Sequence, residues 1–173
     1  MTALIRSANP AAISAITRIY AHAVAHGTAS FEIEPPDEAE MARRYRALLE
    51  GGYPYLVAEL DGAVVGYAYA GPYRARPAYR WTVEDSLYID PNTYRRGIGR
   101  ALLDCLIAES SARDFRQMIA VIGDSAQTAS IESHRTAGFR LVGNIANVGF
   151  KFGRWLDSVI MQRALGADAM TLP

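Results

Sequence analysis

The sequence predicts a mixed α/β fold, that is, an α+β mixed sheet. Segments with the 3.6-residue apolar period of helices alternate with short strand-like runs along the chain. Asp61–Gly62 separates two apolar runs near the middle, and Asp-Gly in that position is a strong hairpin signal. The 173 residues suit one domain, which we expect over residues 1–165, with a C-terminal tail over 166–173.

Composition and charge argue against several classes of protein. Half of the residues are hydrophobic, and 18 Lys and Arg balance 18 Asp and Glu, so the overall charge favours neither nucleic acid nor an anionic membrane. Cys105 is the single cysteine, which precludes an intrachain disulfide and fits a cytoplasmic setting. No apolar run approaches the roughly 20 residues of a membrane span, and the N-terminus lacks the apolar core of a signal peptide. We therefore expect a cytoplasmic protein without nucleic-acid or membrane partners.

The chain begins with a predicted strand and helix. The strand is predicted over Thr2–Arg6, and Asn9–Pro10 predicts the helix start, because Asn is a favoured N-cap and Pro a favoured first helical residue. The helical period ends near His26. His22 and His26 lie four residues apart on one face, but no third metal ligand is evident, so we interpret them as solvated or capping histidines.

A loop and a second helix come next. Phe31 is a bulky residue in the loop over residues 28–36, where it serves either as a core plug or as a ligand contact. Asp37 and Glu40 predict a capping box at the start of the helix, and Gly51–Gly52 predicts its end.

The hairpin leads into an arginine-rich loop. Its strands are predicted over Tyr55–Leu60 and Ala63–Tyr69, the second of which is nearly all apolar and expected to be central. The loop that follows carries Arg74, Arg76 and Arg80 among tyrosines. Since guanidinium groups match carboxylate and phosphate oxygens, these arginines indicate either an anionic ligand or a solvated loop with surface ion pairs.

The next predicted strand, Trp81–Ile89, alternates between two faces. Glu84 and Ser86 belong to one face, and Asp85 belongs to the other, among apolar neighbours. A polar row beside a glycine-rich loop is typical of a cleft wall. Glu84 is therefore either a candidate general base or a surface carboxylate.

A basic, glycine-rich loop over residues 94–99 follows the turn signal Asp90–Pro91 and opens a helix. The first N–H groups of a helix lack intrahelical partners, and the helix dipole adds positive charge there. Glycine also lets the backbone approach an anion closely. The loop therefore predicts a binding site for the pyrophosphate of a nucleotide-like cofactor.

Three known loop types compete for this pattern. A Walker A loop would continue with Lys and Ser or Thr, but Arg100–Ala101 follow the last glycine. A dinucleotide fingerprint would place a third glycine where Leu102 stands. The loop resembles the Arg/Gln-x-x-Gly-x-Gly/Ala loop of acyl-CoA N-acetyltransferases, with Tyr94 in the place of Arg or Gln. A glycine-rich turn that binds nothing is the remaining alternative.

The last third of the chain continues the alternation. The predicted elements are a helix over 99–113, a strand over 118–122, a helix over 130–137, a strand over 139–143, an irregular stretch over 145–150 and a strand over 158–165. Cys105 lies on the apolar face of the first of these helices. We interpret it as buried filler rather than a nucleophile, because no base is evident beside it.

The order of elements resembles the GNAT superfamily of acyl-CoA-dependent N-acetyltransferases along nearly the whole chain. Within it, the chain is similar to the phosphinothricin and methionine sulfoximine (sulfone) N-acetyltransferase group. The segments that carry the resemblance are TASFEIEP at 28–35, YRWTVEDSLYI at 79–89, YRRGIGRALL at 94–103, AVIG at 120–123, SIESHRTAGF at 130–139 and VGFKFGRWLD at 148–157. The resemblance implies a mostly antiparallel twisted sheet flanked by helices, acetyl-CoA as co-substrate, no metal, a small-molecule amine as acceptor, and a homodimer.

The resemblance also implies residue roles. Glu84 would be the catalytic base, and His134 would stand in the place of the general-acid tyrosine. The cofactor would be bound by Leu87, Tyr88, Ile89, Arg95, Arg96, Gly97, Ile98, Gly99, Arg100, Gln127 and Ser130. Gln127 stands where Asn is common. The substrate pocket would be lined by Phe31, Arg74, Arg76, Glu84, Asp85 and Ser86.

The expected activity is therefore N-acetylation of a small amino-acid analogue. Such an acceptor is largely an ammonium at neutral pH, so a carboxylate with a pKa raised by burial would help to deprotonate it. Two alternatives stay open: a non-catalytic acyl-CoA-binding regulatory module, and acetylation of a different amine, including a protein N-terminus.

Overall fold

The computed structural model describes residues 3–172 and confirms the predicted mixed α/β class. The helices are α1 (Ile13–His26), α2 (Glu38–Glu50), α3 (Ile98–Ala112) and α4 (Thr128–Thr136). The strands are β1 (Leu4–Ser7), β2 (Tyr55–Leu60), β3 (Ala63–Pro72), β4 (Thr82–Ile89), β5 (Gln117–Gly123), β6 (Arg140–Lys151) and β7 (Arg154–Ala164). Short 3₁₀ turns lie at Pro10–Ala12, Pro77–Tyr79 and Pro91–Thr93.

The seven strands form one sheet in the order β1-β2-β3-β4-β5-β7-β6. Every neighbouring pair is antiparallel except β4 and β5, which are parallel. That parallel pairing runs only from Thr82–Gln117 to Asp85–Ala120, although β4 continues to Ile89. The sheet therefore opens between β4 and β5, and the second half of β4 faces the gap without a partner strand.

Helices cover both faces of the sheet. On one face, α1 and α2 pack over a core that includes Ile16, Met41 and the buried ring of Tyr67. On the other, α3 packs over a second core that includes Leu102 and Leu106. No helix within residues 3–172 is long and apolar enough to cross a lipid bilayer.

Strand β4 lies between the two cores and alternates between them as predicted. Val83, Leu87 and Ile89 pack into the core beneath α3, whereas Tyr88 packs into the core beneath α1. By the two-residue period of a strand, Asp85 faces the α3 and α4 side, and Glu84 and Ser86 face the α1 and α2 side.

The beginning of the chain departs from the prediction. The first helix opens as a 3₁₀ turn and becomes α-helical only at Ile13, and the Asn9 side chain makes no capping hydrogen bond. Of the predicted strand at the N-terminus, Thr2 lies outside the described residues, and the observed strand extends to Ser7.

The second helix has half of its predicted capping box. The Asp37 side chain accepts a hydrogen bond of 2.8 Å from the backbone N–H of Glu40. The Glu40 carboxylate binds Arg43 and Arg44 instead of reaching back, because two charged donors compete with one backbone N–H.

The hairpin at the end of the sheet is longer than predicted. The irregularity predicted over 145–150 is present, but it lies inside the 12-residue edge strand β6. Two register shifts against β7 absorb the irregularity. The carboxylate of Asp157 holds this distorted region by accepting from the Asn144 side chain and the Asn147 backbone, and hydrogen bonding to these groups and Ser125 lowers its pKa.

Candidate active site

A cleft of about 830 Å³ lies where β4 and β5 part. Its walls are the outer half of β4, the glycine loop, the end of β5 and the first turns of α4. The structure brings together here all residues predicted to bind the cofactor, namely Leu87, Tyr88, Ile89, Arg95, Arg96, Gly97, Ile98, Gly99, Arg100, Gln127 and Ser130. Phe31, Glu84, Asp85, Ser86 and His134 line the same cleft.

The glycine loop ends in a left-handed residue at the start of α3. Gly97 is the N-cap of that helix with φ +75°, a conformation that glycine adopts without the penalty of a Cβ. The Gly97 carbonyl oxygen accepts the first intrahelical hydrogen bond, from the N–H of Ala101. The N–H groups between these two residues therefore have no helical partner. Neither Arg95 nor Arg96 forms an ion pair within residues 3–172. The loop therefore offers backbone donors and uncompensated positive charge to an anion.

Asp90 fixes the beginning of this loop. Its buried carboxylate accepts hydrogen bonds from Arg18 at 2.6 Å and from the backbone and side chain of Asn92. The Arg18 guanidinium, with Asn92, holds the pKa of Asp90 below its usual range. The sequence indicated only a turn here, because the partner Arg18 lies on α1, 72 residues away.

Glu84 stands at the boundary between the cleft and a second cavity. No group within residues 3–172 donates a hydrogen bond to its carboxylate, and the residue is half-buried. Burial raises the pKa of Glu84, the charge of Asp85 raises it further, and Arg74 opposes the shift. A half-buried carboxylate without a partner has the environment expected of a general base.

The second cavity, of about 340 Å³, lies on the α2 side of β4. It is lined by Arg43, Arg44, Ala47, Leu48, Tyr69, Gly71, Pro72, Glu84 and Ser86. The members of this set on α2 and β3 were not predicted from the sequence. Arg44 is held in place by Glu32 at 2.6 Å and Glu40 at 2.8 Å. Glu84 can thus contact molecules in both cavities.

Asp85 and His134 form a buried pair. His134 Nε2 lies 3.0 Å from Asp85 Oδ2, and His134 Nδ1 lies 2.7 Å from the Ser130 carbonyl oxygen. Burial alone would lower the pKa of His134, but the hydrogen bond and charge of Asp85, with the Ser130 carbonyl, raise it above its ordinary value. The sequence placed Asp85 on the correct face but could not show that α4, 49 residues away, meets that face.

Phe31 enters the cleft from the loop between α1 and α2. Its ring lies over two glycines, because a Cβ built on Gly123 or Gly149 would come within 2.7 or 2.4 Å of it. Absence of a side chain at both positions therefore makes the slot that seats the ring.

Two polar contacts hold the same loop. The buried Lys151 ammonium donates to the carbonyl oxygens of Gly27 at 2.9 Å and Ser30 at 2.8 Å, and burial lowers the pKa of Lys151. The Gln127 side chain donates to Thr28 Oγ1 at 2.9 Å. Gln127 therefore binds the loop as well as lining the cleft, a function that its sequence position did not indicate.

Arg74 and Arg76 lie outside both cavities. Both are exposed, and the Arg74 guanidinium lies over the ring of Tyr73, 5.1 Å from its centroid. Arg74 is nevertheless close enough to Glu84 for its charge to oppose the rise in the pKa of that residue. Their role in acceptor binding stays a prediction.

The two histidines of α1 lie side by side with ring centroids 4.7 Å apart, as their spacing predicts. Within residues 3–172, no group of three or more His, Cys, Asp or Glu side chains is arranged to hold a metal ion.

Comparison with known proteins places this geometry in a family. The model of the acetyltransferase (GNAT) domain matches residues 5–160. The chain is 55% identical to a phosphinothricin N-acetyltransferase from Alcaligenes faecalis, over 93% of this chain and 82% of that protein. It is 41% identical to an L-methionine sulfoximine/L-methionine sulfone acetyltransferase from Salmonella typhimurium, over 95% of this chain and 96% of that protein.

A solved structure shares the fold. The crystal structure of a GNAT superfamily phosphinothricin acetyltransferase from Sinorhizobium meliloti, in complex with acetyl-CoA, superposes with a TM-score of 0.97 at 50% identity, covering 100% of this chain and 94% of that one. Sequence, fold and cleft geometry agree, and the chain belongs to the GNAT acetyltransferase family.

Proposed function

We propose that this protein transfers the acetyl group of acetyl-CoA to the amine of a small amino-acid-like acceptor, such as phosphinothricin, methionine sulfoximine or methionine sulfone. The observation that carries the proposal is the position of Glu84, an unpaired half-buried carboxylate between a cleft with an anion-binding loop and a second cavity. The names of the relatives supply the candidate acceptors.

The cleft suits acetyl-CoA as co-substrate. The unpaired N–H groups after Gly97, with Arg95 and Arg96, fit the charge of a pyrophosphate. The backbone of residues 86–89 lacks a partner strand on the β5 side and can pair with the amide groups of an extended pantetheine arm. Both features support binding without any metal.

Glu84 would act as the base. An α-ammonium group must lose a proton before it can attack a thioester, and positioned general bases typically contribute about 10²–10⁴-fold to a rate. The raised pKa of Glu84 brings the carboxylate nearer to the pH at which it must accept that proton. Backbone N–H groups near the thioester would stabilise negative charge on its oxygen, at about 3 kcal/mol per donor. His134 faces the same cleft and would assist the leaving thiolate, either as a proton donor or as a positive charge.

The acceptor would enter from the second cavity. Glu84 and Ser86 line both spaces, so an amine there can reach the carboxylate and the thioester together. The predicted pair Arg74 and Arg76 would hold the acceptor's carboxylate or anionic side group from the adjoining loop.

A second copy of the chain is the proposed partner. The edge strand β6 and its hairpin expose a row of apolar side chains, namely Leu141, Val142, Ile145, Val148, Phe150, Phe152 and Trp155. Such a row on an edge strand favours pairing with another chain. Light scattering should show a dimer that Val142→Lys dissociates, whereas Leu4→Lys on the opposite edge leaves it intact; a monomeric wild-type protein would refute the dimer.

The activity would belong to the cytoplasm, where acetylation would detoxify amino-acid analogues. A thiol-release assay with acetyl-CoA and a panel of amines tests the whole proposal. Glu84→Gln should lower kcat at least tenfold, in keeping with the loss of a general base, while calorimetry shows that acetyl-CoA still binds. Glu50→Gln, an exposed carboxylate at the end of α2, is the matched control.

The alternatives give different results in the same assay. Tight acetyl-CoA binding without thiol release from any amine would favour a regulatory module. Turnover of peptides with free N-termini, but not of amino-acid analogues, would favour an N-terminal acetyltransferase. Full activity in Glu84→Gln would refute the assignment of the base.

A further inference from the structure

Asp85 and His134 are more deeply buried than the other charged side chains that line the cleft. The side chains of His134 and Asp85 are 8% and 3% exposed. The Phe139 ring and the imidazole form a T-shaped pair, with ring centroids 5.0 Å apart and planes at 86°. The imidazole therefore has one orientation, fixed by an aromatic contact and by two polar partners.

Both polar partners of His134 are acceptors. The Ser130 carbonyl can only accept a hydrogen bond, and so can the Asp85 carboxylate when it is ionised. A neutral imidazole has one N–H and could satisfy only one of them. With both ring nitrogens within hydrogen-bond distance of acceptors, the geometry fits an imidazolium that donates one N–H to the Ser130 carbonyl and the other to Asp85.

The other carboxylate oxygen of Asp85 provides a second observation. This oxygen, Oδ1, is fully buried and has no hydrogen-bond partner within residues 3–172. Asp85 also lines the cleft. An unpaired buried carboxylate oxygen is costly, so it indicates a donor that arrives with a ligand or an ordered water.

We infer that Asp85 is a positioning residue that locks His134 as a permanent imidazolium on the wall of the cleft. His134 then acts as a fixed positive charge and keeps both of its protons during the reaction. The inference rests on the proposed function in one respect only, namely that the charge of His134 serves acetyl transfer. It goes further by excluding His134 as the immediate proton donor, since neither N–H is free to reach a leaving thiolate.

The proton balance of acetyl transfer allows this arrangement. Glu84 takes one proton from the ammonium, and the neutral amine forms the new C–N bond with the thioester carbon. When the C–S bond breaks, the thiolate leaves with the electron pair of that bond, and one of the two amine protons passes to it, directly or through water. The other stays on the amide nitrogen. The imidazolium stabilises the thiolate by charge without entering this exchange.

The groups that face the His134 imidazole come from three places in the fold. Asp85 faces it from β4, the Ser130 carbonyl faces it from its own helix, and the uncharged Phe139 ring faces it from the start of β6. Replacing Asp85 by Asn keeps the shape but turns one face of the site into an N–H donor. His134 would then accept at Nε2, donate at Nδ1 and become neutral.

Histidine-selective NMR tests the protonation state directly. The chain has three histidines, of which His22 and His26 are exposed and His134 is buried. We expect His134 to carry both protons at pH 7 and to titrate above the reference value of about 6.5. In Asp85→Asn it should titrate at least one unit lower than in the wild type. A neutral His134 at pH 7 in the wild type, or an unchanged midpoint in the variant, would overturn the inference.

Kinetics separate a catalytic contribution from a merely structural one. With acetyl-CoA and methionine sulfone at pH 7, Asp85→Asn should lower kcat roughly tenfold, as for loss of a preorganised electrostatic contact. Its KM for acetyl-CoA should change less, and its deficit should shrink as the pH falls and His134 regains its charge. Glu132→Gln, which removes an exposed carboxylate from the same helix, is the control and should behave as wild type.

The NMR titration and the kinetic comparison can fail independently of each other. If no acceptor is turned over, the proposed function fails, but the NMR titration of the wild type still decides the state of His134. If Asp85→Asn does not fold, the wild-type titration alone carries the test. A wild-type kcat that Asp85→Asn leaves unchanged would overturn the catalytic part of the inference.

Discussion

Substitution of Gly149 by alanine should displace Phe31 and disturb the cleft that Phe31 lines. A Cβ at position 149 would lie 2.4, 2.6 and 3.0 Å from three carbons of the Phe31 ring, well inside van der Waals contact. The ring has little room to retreat toward β5, because it already lies so close to Gly123 that a Cβ there would meet it at 2.7 Å. The loop that carries Phe31 must therefore move.

Two contributions to the free energy of unfolding set the size of the effect. Overpacking of a well-packed site costs about 1–3 kcal/mol, whereas glycine-to-alanine replacement in an ordinary backbone conformation contributes about 0.4–1 kcal/mol through the unfolded chain. Gly143→Ala on the same strand should show only the contribution of the unfolded chain, since its Cβ would have no neighbour within 4 Å. The difference between the two variants isolates the clash, at about 1–3 kcal/mol. For a chain of this size that corresponds to a Tm of Gly149→Ala about 2–12 °C below that of Gly143→Ala.

Thermal denaturation and steady-state kinetics check this prediction. Phe31 is predicted to line the substrate pocket and lies in the cleft beside the cofactor-binding residues, so the KM values for the acceptor and for acetyl-CoA should both rise in Gly149→Ala relative to Gly143→Ala. In a Phe31→Ala background the substitution at 149 should cost nothing, because its clashing partner is gone. Equal Tm values and equal acceptor KM values for the two alanine variants would refute the seating of Phe31 on the glycine slot.

Three further outcomes follow from the contacts of the cleft. Gly97→Ala forces a Cβ into the left-handed region at φ +75°, at about 1–2 kcal/mol, and should weaken acetyl-CoA binding in calorimetry; unchanged affinity would contradict the cradle. Lys151→Met leaves two carbonyls of the Phe31 loop without their donor, at about 1–3 kcal/mol for each that stays buried, which urea denaturation would measure. The Ala126 N–H, with Arg154, lowers the pKa of Asp124, so its stabilisation is complete above its unfolded pKa of about 3.9 and is lost as the pH falls through the lower folded value. Acid titration by circular dichroism should therefore show a smaller loss of stability below pH 4 in Asp124→Asn.

Local signals predicted the elements whose form depends on neighbouring residues. The hairpin formed as predicted because Asp61 and Gly62 both adopt positive φ, which such a tight turn requires. The glycine loop likewise depends on one residue, Gly97, and on the apolar period of the helix that follows. Both signals lie within a few residues of the structure that they specify.

Contacts between distant segments could not be predicted in this way. The sequence placed Asp85 correctly on the face opposite Glu84, but its partner lies on α4, and nothing in strand alternation shows where a later helix packs. The slot for Phe31 needs glycines from two strands that are adjacent to the loop only in the fold. The distorted part of β6 is held by Asp157, whose hydrogen bonds to the opposite strand leave no pattern in the sequence.

The two neighbouring carboxylates of β4 show how the fold assigns different chemistry to similar side chains. The strand alternates, so Glu84 faces the acceptor cavity and Asp85 faces α4. Asp85 pairs there with His134, which we infer to be an imidazolium. Among residues 3–172, Glu84 meets no cation at hydrogen-bond distance; burial and the charge of Asp85 raise its pKa. Removal of the His134 imidazole would leave the negative charge of Asp85 without its partner beside Glu84. His134→Ala should therefore shift the acidic limb of the kcat/KM profile, which reports Glu84, to higher pH, and an unshifted limb would show that the Asp85–His134 pair is not coupled to Glu84.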